Sequence, residues 1–160
     1  MIQSIQDDIY QAVAFYYQLA KEKYPDLSSF AIVTDESFDT FLIAVNNNEF
    51  FDDLKNEKAC DECYWNTAEW QDECFDDKAF NFNIENITDF LNSKDYDEFD
   101  EDEFLNICLN ALKSIHNDKR VCVFVHITDF SSNKKLYDIV KELNGDEVAE
   151  SYKNYYLGWS

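Results

Sequence analysis

The pattern of apolar and polar positions predicts several helices. Apolar residues recur at spacings of three and four over residues 2–23, which predicts an amphipathic helix closed by Pro25. A similar stripe from Phe104 to Ile115 predicts a helix over residues 100–116, with an acidic first turn and a basic last turn as the helix dipole favours. Three shorter helices are predicted over residues 86–91, over residues 133–143 and from residue 146.

Runs of β-branched and aromatic residues predict the strands. Residues 30–34 and 40–45 are separated by five residues and predict a hairpin. Residues 121–127 are almost entirely apolar, which predicts a strand buried on both faces and therefore central in the sheet. We therefore expect one α+β domain over residues 1–160. Its small, mostly antiparallel sheet of about three to five strands is packed by helices, including the long N-terminal one.

The composition supports a folded core rather than an acidic disordered chain. Hydrophobic residues make up 46% and aromatic residues 17% of the sequence, whereas disordered chains are poor in both. No apolar run reaches the ~18 residues of a membrane helix, and the N-terminal residues do not resemble a secretory signal. The five cysteines are an odd number. These features together predict a cytoplasmic protein with reduced thiols.

The negative charge is concentrated in one third of the sequence. Residues 49–103 contain 20 Asp and Glu residues against 4 Lys, which gives −16 of the total charge of −21. Such a segment repels nucleic acids and acidic membranes, and it attracts a basic partner. The charge pattern therefore predicts a protein that binds a basic protein, with neither a nucleic-acid nor a membrane partner.

Within the acidic segment, the acids form two clusters, around residues 72–77 and residues 95–103. Aromatic residues accompany them, and exposed ones such as Trp70, Phe75 or Tyr96 can supply the desolvated anchors that carry binding energy. The competing interpretation is a merely soluble acidic surface. We predict that a partner binds to acids of both clusters. They are Asp72, Glu73, Asp76, Asp77, Asp95, Asp97, Glu98, Asp100, Glu101 and Asp102.

Two motifs resemble metal sites without completing them. A structural zinc site needs four ligands, commonly as two pairs, and the chain offers one pair, Cys60 and Cys63, with Cys74 eleven residues later. An EF-hand calcium loop needs Gly at its sixth position, which is Asp100 when counted from Asp95. We therefore expect neither a metal nor a cofactor.

No residue pattern indicates a reaction, so the sequence predicts a protein that is not an enzyme. A glycine-rich phosphate loop is excluded, because Gly145 and Gly158 are the only glycines. The acids are too numerous to single out a catalytic pair. One alternative is a small ligand-binding domain or enzyme with an enclosed pocket. A further alternative is an acidic adaptor protein.

Four segments carry a family resemblance: residues 30–35, residues 44–46, residues 64–70 and residues 121–129. The most distinctive is the W-x-x-x-E-W element that ends at Trp70. Together they resemble the bacterial family called domain of unknown function 4303. Families of this kind occur among candidate immunity proteins of bacterial toxin systems. The resemblance therefore implies a cytosolic antidote that binds a toxin, and it implies no catalytic residues.

Charge and resemblance together predict a bacterial immunity protein that binds and neutralises a basic toxin domain. A nuclease is the expected toxin class, because a surface that binds phosphates must be basic. Carboxylates then take the place of the phosphates. We expect the protein to act as a monomer or in a 1:1 complex with the toxin.

Overall fold

The computed structural model describes residues 2–49, 65–75, 81–128 and 134–157. Within these ranges the chain forms five α-helices and three strands, which confirms the predicted α+β fold with a long N-terminal helix. The elements in chain order are a 3-10 turn at Ile2–Ile5, α1 at Gln6–Lys23, β1 at Leu27–Asp35, β2 at Leu42–Asn47, a 3-10 turn at Thr67–Glu69, α2 at Phe82–Ser93, α3 at Glu101–Ile115, β3 at Cys122–Thr128, α4 at Lys134–Asn144 and α5 at Asp146–Leu157.

The helix α3 forms where its apolar stripe predicts it. The carboxylate of Asp100 accepts a hydrogen bond from the backbone N–H of Glu103 at 2.9 Å and caps the helix. Phe104, Cys108 and Leu112 are buried on one side. The helix ends at His116, whose N–H donates to the carbonyl oxygen of Leu112. Local signals at both ends therefore fix the position of this helix.

The sheet has the order β2–β1–β3, so β1 is the central strand. The prediction that residues 121–127 form the central strand is wrong, because β3 lies at the edge of the described sheet. The hairpin of β1 and β2 is antiparallel, as predicted, and the pair of β1 and β3 is parallel. The described sheet is therefore mixed, with an antiparallel hairpin, an isolated antiparallel bridge from Asp72 to β2 and a parallel pair of β1 and β3.

The side chain of Asn144 explains how an edge strand can be so apolar. Its Oδ1 accepts the N–H of Val123 at 2.9 Å, and its Nδ2 donates to the carbonyl oxygen of the same residue at 2.7 Å. One amide side chain thus replaces the backbone of a neighbouring strand. Because α4 also packs on β3, the strand is buried although no further described strand pairs with it.

Helices and aromatic residues cover both faces of the sheet. On one face, the ring of Tyr17 in α1 packs edge-on against Phe30, with ring centroids 5.2 Å apart. On the other face, Phe124 contacts the rings of Trp65 and Trp70, and Trp65 also contacts Tyr152 of α5. The sheet therefore lies in the middle of the core. No helix within the described ranges combines the length and apolarity needed to cross a membrane.

Candidate functional site

The second predicted cluster forms a continuous acidic surface where α2 joins α3. We define the acidic surface as the seven carboxylates of this segment. They are Asp95, Asp97, Glu98, Asp100, Glu101, Asp102 and Glu103. Glu103 is half-buried and the other six are exposed. Among the described residues, Asp102 alone of the seven approaches a basic side chain, with Lys135 Nζ 3.9 Å from its carboxylate. Most of the negative charge is therefore not neutralised within the described structure.

Hydrogen bonds from the carboxylates shape the backbone of this segment. Asp95 accepts the N–H of Asp97 at 3.0 Å, and its carbonyl oxygen accepts the N–H of Glu98 at 3.1 Å. Asp100 caps α3, as described above. Gln3 Nε2 donates to Glu103 Oε1 at 3.0 Å, which ties the surface to the N-terminal turn. The carboxylates are thus presented from a defined turn and a capped helix.

Aromatic packing attaches this segment to the core. Phe99 packs with Phe38 and Phe104 in a cluster of three rings, whose centroids lie 5.7 to 5.8 Å apart. Phe38 belongs to the loop between β1 and β2, where it is buried with a left-handed φ of +56°. Bulky residues rarely adopt that conformation. The packing of Phe38 therefore brings the β1–β2 loop against the acidic surface.

Lys94 lies directly beneath the acidic surface, and its side chain is 2% exposed. Its ammonium forms an ion pair with Asp39 of the β1–β2 loop and donates to the carbonyl oxygen of Leu91 at 3.2 Å. The hydroxyl of Tyr96 donates to the same Asp39 carboxylate at 2.8 Å. The bond from Lys94, and then the bond from Tyr96, lower the pKa of Asp39 below its ordinary value.

A cavity of about 300 Å³ opens beside the acidic surface. Apolar side chains and four carboxylates share its wall with Lys94, whose ammonium is already paired with Asp39. The wall therefore suits a group that is cationic at its tip and apolar along its stem. The cavity is formed by the N-terminal turn, the end of α2 and the start of α3. It is lined by Ile2, Phe90, Ser93, Lys94, Asp95, Glu98, Phe99, Asp100 and Glu103.

The first predicted cluster lies elsewhere. Asp72 pairs with β2 through the backbone of Val45, and its carboxylate accepts hydrogen bonds from Tyr24 and, at 3.2 Å, from Lys23 Nζ. These partners lie at the C-terminal end of α1, whereas Gln3 ties the acidic surface to the N-terminal end. At ~1.5 Å per residue, the 18 residues of α1 span ~27 Å. The described parts of the two clusters are therefore not brought together.

The remaining predicted acids of the first cluster lie either beside Asp72 or outside the described residues. Glu73 is exposed beside Asp72, while Asp76 and Asp77 lie outside the described residues. The prediction of exposed aromatic anchors is wrong for Trp70 and Phe75, which are both 4% exposed. They pack against Phe124 and Tyr16, because a folded chain uses its large rings for the core first. Tyr96 is 64% exposed, as expected.

Comparison with known families gives one match that covers most of the chain. The model of a domain of unknown function (DUF4303) matches residues 9–145. The chain belongs to this family. No curated protein and no solved structure matches it. The matched range of this DUF4303 domain includes the acidic surface, Lys94 and Asp39. Because the family description names no activity, function has to be argued from the site itself.

Sequence reasoning missed several residues of the site in this DUF4303 domain. Glu103, Asp39 and Lys94 were not predicted, although Lys94 is the only basic residue between positions 79 and 112. A single lysine among many acids could have identified Lys94 as a residue of the site. Asp39 gave no such signal, because its partner lies 55 positions away.

The metal motifs of the DUF4303 domain can be followed only in part. Cys74 is partly buried, while Cys60 and Cys63 lie outside the described residues. Within the described ranges, no group of three or more His, Cys, Asp or Glu side chains is arranged to hold a metal ion. That statement covers the carboxylates of residues 95–103.

Proposed function

We propose that this chain is an immunity protein of a bacterial toxin system and that it binds a basic toxin domain through the acidic surface. One observation carries the proposal. Seven carboxylates project from a defined turn and a capped helix, and among the described residues a single base, Lys135, approaches one of them. A surface with this much unbalanced charge is complementary to a basic partner.

The rigid geometry favours binding over mere solubility. Carboxylates that need only keep a protein in solution can be spread over flexible side chains on any surface. Here the backbone beneath them is fixed by hydrogen bonds and by the packing of Phe99. The exposed ring of Tyr96 supplies an aromatic anchor of the kind that dominates interface energies.

A stable complex needs more than the acidic surface alone. Standard interfaces bury roughly 1,200–2,000 Å² in total, so the seven carboxylates would form one part of the contact. The cavity beside them can accept one lysine or arginine side chain of the toxin. The proposal therefore places Glu98 and Tyr96 near the centre, and it leaves Asp72 to its structural role at the edge of β2.

The toxin class follows from the charge. A nuclease must present a basic surface to bind phosphates, and the acidic surface would cover it in place of the nucleic acid. The immunity protein would act in the cytoplasm, where the nucleic acid is, as a monomer in a 1:1 complex. The partner to test first is a small basic domain at the C-terminal end of a protein encoded directly upstream.

A protection experiment tests this proposal. The surface variant Asp97→Asn/Glu98→Gln/Glu101→Gln removes three exposed charges of the acidic surface. The control variant Glu22→Gln/Glu73→Gln/Glu147→Gln removes three exposed charges elsewhere, one of them in the first cluster. Cells that produce the basic toxin domain should survive with the wild-type protein or the control variant and die with the surface variant.

Two outcomes would overturn the proposal. Equal protection by the wild-type protein and the surface variant would show that the acidic surface is not used. A wild-type protein that neither protects cells nor co-purifies with the basic domain would remove the immunity function itself.

The cavity supports a second candidate function, the binding of a small cationic ligand. Its volume of about 300 Å³ lies at the lower end of the range for small-molecule sites. Spermine is a suitable probe, since it combines ammonium groups with an apolar chain. A spermine-dependent rise in Tm that is lost in Glu98→Gln, without binding to any basic domain, would favour this candidate.

A further inference from the structure

Lys94 differs from the other paired lysines of the described structure. Its side chain is 2% exposed, whereas those of the other lysines in ion pairs are 32% to 87% exposed. Lysine is rarely buried, because removing its charge from water is unfavourable unless partners replace the water. A buried lysine in the most acidic part of the chain therefore needs a physical reason.

The contacts of Lys94 join three parts of the molecule. The ammonium pairs with Asp39 of the β1–β2 loop and donates to Leu91 at the end of α2. It also lies 4.3 Å from the ring centroid of Tyr96 and 5.3 Å from that of Phe99, both in the acidic segment. Cations are attracted to aromatic faces at such distances. The ammonium thus contacts the β1–β2 loop, the end of α2 and the acidic segment.

We infer that Lys94 is a positioning residue that fixes the acidic surface in its binding shape. Its bond to Asp39 attaches the β1–β2 loop to the segment, and its ammonium faces the rings of Tyr96 and Phe99 within that segment. Without it, the segment 95–100 would extend to separate its charges. The inference about loop geometry stands by itself, and its consequence for binding rests on the proposed function.

Hydrogen exchange of the free protein tests the geometric part. Three backbone N–H groups report on the segment, because Asp97, Glu98 and Glu103 donate to Asp95 or Asp100. In Lys94→Met, which keeps the apolar stem, these amides should exchange roughly tenfold faster or more, while those of Ala31 and Ile32 in β1 stay unchanged. The same protection in Lys94→Met as in the wild type would overturn the inference.

Two further variants complete this test. Lys113→Met breaks an exposed ion pair with Glu142 and removes the same charge, so it should leave the three reporter amides unchanged. Acceleration in Lys113→Met equal to that in Lys94→Met would reduce the effect to net charge and contradict the inference.

A second variant serves if Lys94→Met does not fold. Tyr96→Phe removes only the hydroxyl that donates to Asp39. It should accelerate the same amides by a smaller factor, and unchanged exchange there would overturn the inference.

A binding measurement separates positioning from charge. Lys94→Met makes the protein more negative, so a pure charge effect would strengthen its binding to a synthetic hexa-arginine peptide. We expect the opposite, a Kd roughly fivefold higher than that of the wild type, because the carboxylates are no longer fixed together. Equal or tighter binding by Lys94→Met would contradict the positioning role. If the wild-type protein does not bind the peptide, the result counts against the proposed function. The positioning role of Lys94 is then tested by the hydrogen-exchange experiment alone.

Discussion

Carboxylates of identical chemistry have different roles in this protein, and their neighbours decide which. Asp72 is held by Tyr24 and Lys23, and Asp39 is held by Lys94 and Tyr96. Asp97 has no basic partner among the described residues. The sequence could not separate these roles, because the partners of Asp72 and Asp39 lie 48 to 57 positions away. All acids of a cluster look alike until the fold places their partners.

The ion pair of Asp39 has a measurable effect on stability in acid. Lys94 and Tyr96 lower its pKa in the folded state from an ordinary value of 3.8. The stabilisation is therefore complete above that value and is lost as the pH falls through the lowered pKa of the folded protein. Asp39→Asn should flatten the decline of the free energy of unfolding below about pH 4, as followed by urea denaturation.

The matched control for this prediction is Glu147→Gln, which removes an exposed acid at the start of α5. It should leave the acid limb of the stability profile unchanged. If Asp39→Asn and wild type lose stability in parallel between about pH 4 and about pH 2, the pair with Lys94 contributes nothing to the folded state.

Single elements were predictable where local signals determine them. The apolar stripe and the charged end turns of α3 lie within the helix itself, and α3 occupies Glu101–Ile115 of the predicted range 100–116. The apolar run of β3 correctly predicted burial. Its position at the edge of the sheet was missed, because the edge is completed by Asn144, which lies 21 positions after Val123. Burial can be inferred from a pattern, whereas the neighbour that causes it cannot.

The edge of β3 supports a prediction about Asn144. In Asn144→Asp, the side chain can still accept the N–H of Val123, but it no longer donates to the carbonyl oxygens of Val123 and Val140. A buried carbonyl group without a partner costs about 1–3 kcal/mol. We therefore expect the free energy of unfolding to fall by about that amount.

Guanidinium denaturation at neutral pH measures this change. The control is Asn110→Asp, which introduces the same charge at an exposed position of α3. Equal stabilities of the Asn144→Asp and Asn110→Asp variants would show that the side-chain bridge to β3 is not a significant source of stability.

At the scale of the whole molecule, a net charge of −21 opposes the compact state through self-repulsion. Salt screens this repulsion over distances of roughly 10 Å at ~0.1 M. The Tm of the free protein should therefore rise between about 20 mM and about 500 mM NaCl, as followed by scanning calorimetry. The surface variant should show a smaller rise, and a Tm that falls with salt would contradict the importance of repulsion.

The arrangement of the acidic clusters is a property that only the complete fold decides. Both clusters belong to one acidic segment of the sequence, yet their described parts are tied to opposite ends of α1, a helix ~27 Å long. Charge density along the chain predicted two acidic clusters, and the structure shows six exposed carboxylates in the cluster of residues 95–103. Charge density could not show that Asp72 forms a backbone bridge with β2 and binds Lys23 of α1, because those contacts depend on how β2 and α1 are packed.

The most direct test of the account is the Kd of the protein for the basic toxin domain, measured by calorimetry between about 50 mM and about 500 mM NaCl. For a charge-driven interface, the wild type and the control variant should bind with the same Kd, and their binding should weaken with salt. The surface variant should bind roughly tenfold more weakly, with a shallower dependence on salt. Equal affinities of the surface and control variants, or binding that does not respond to salt, would contradict a charge-driven interface at residues 95–103.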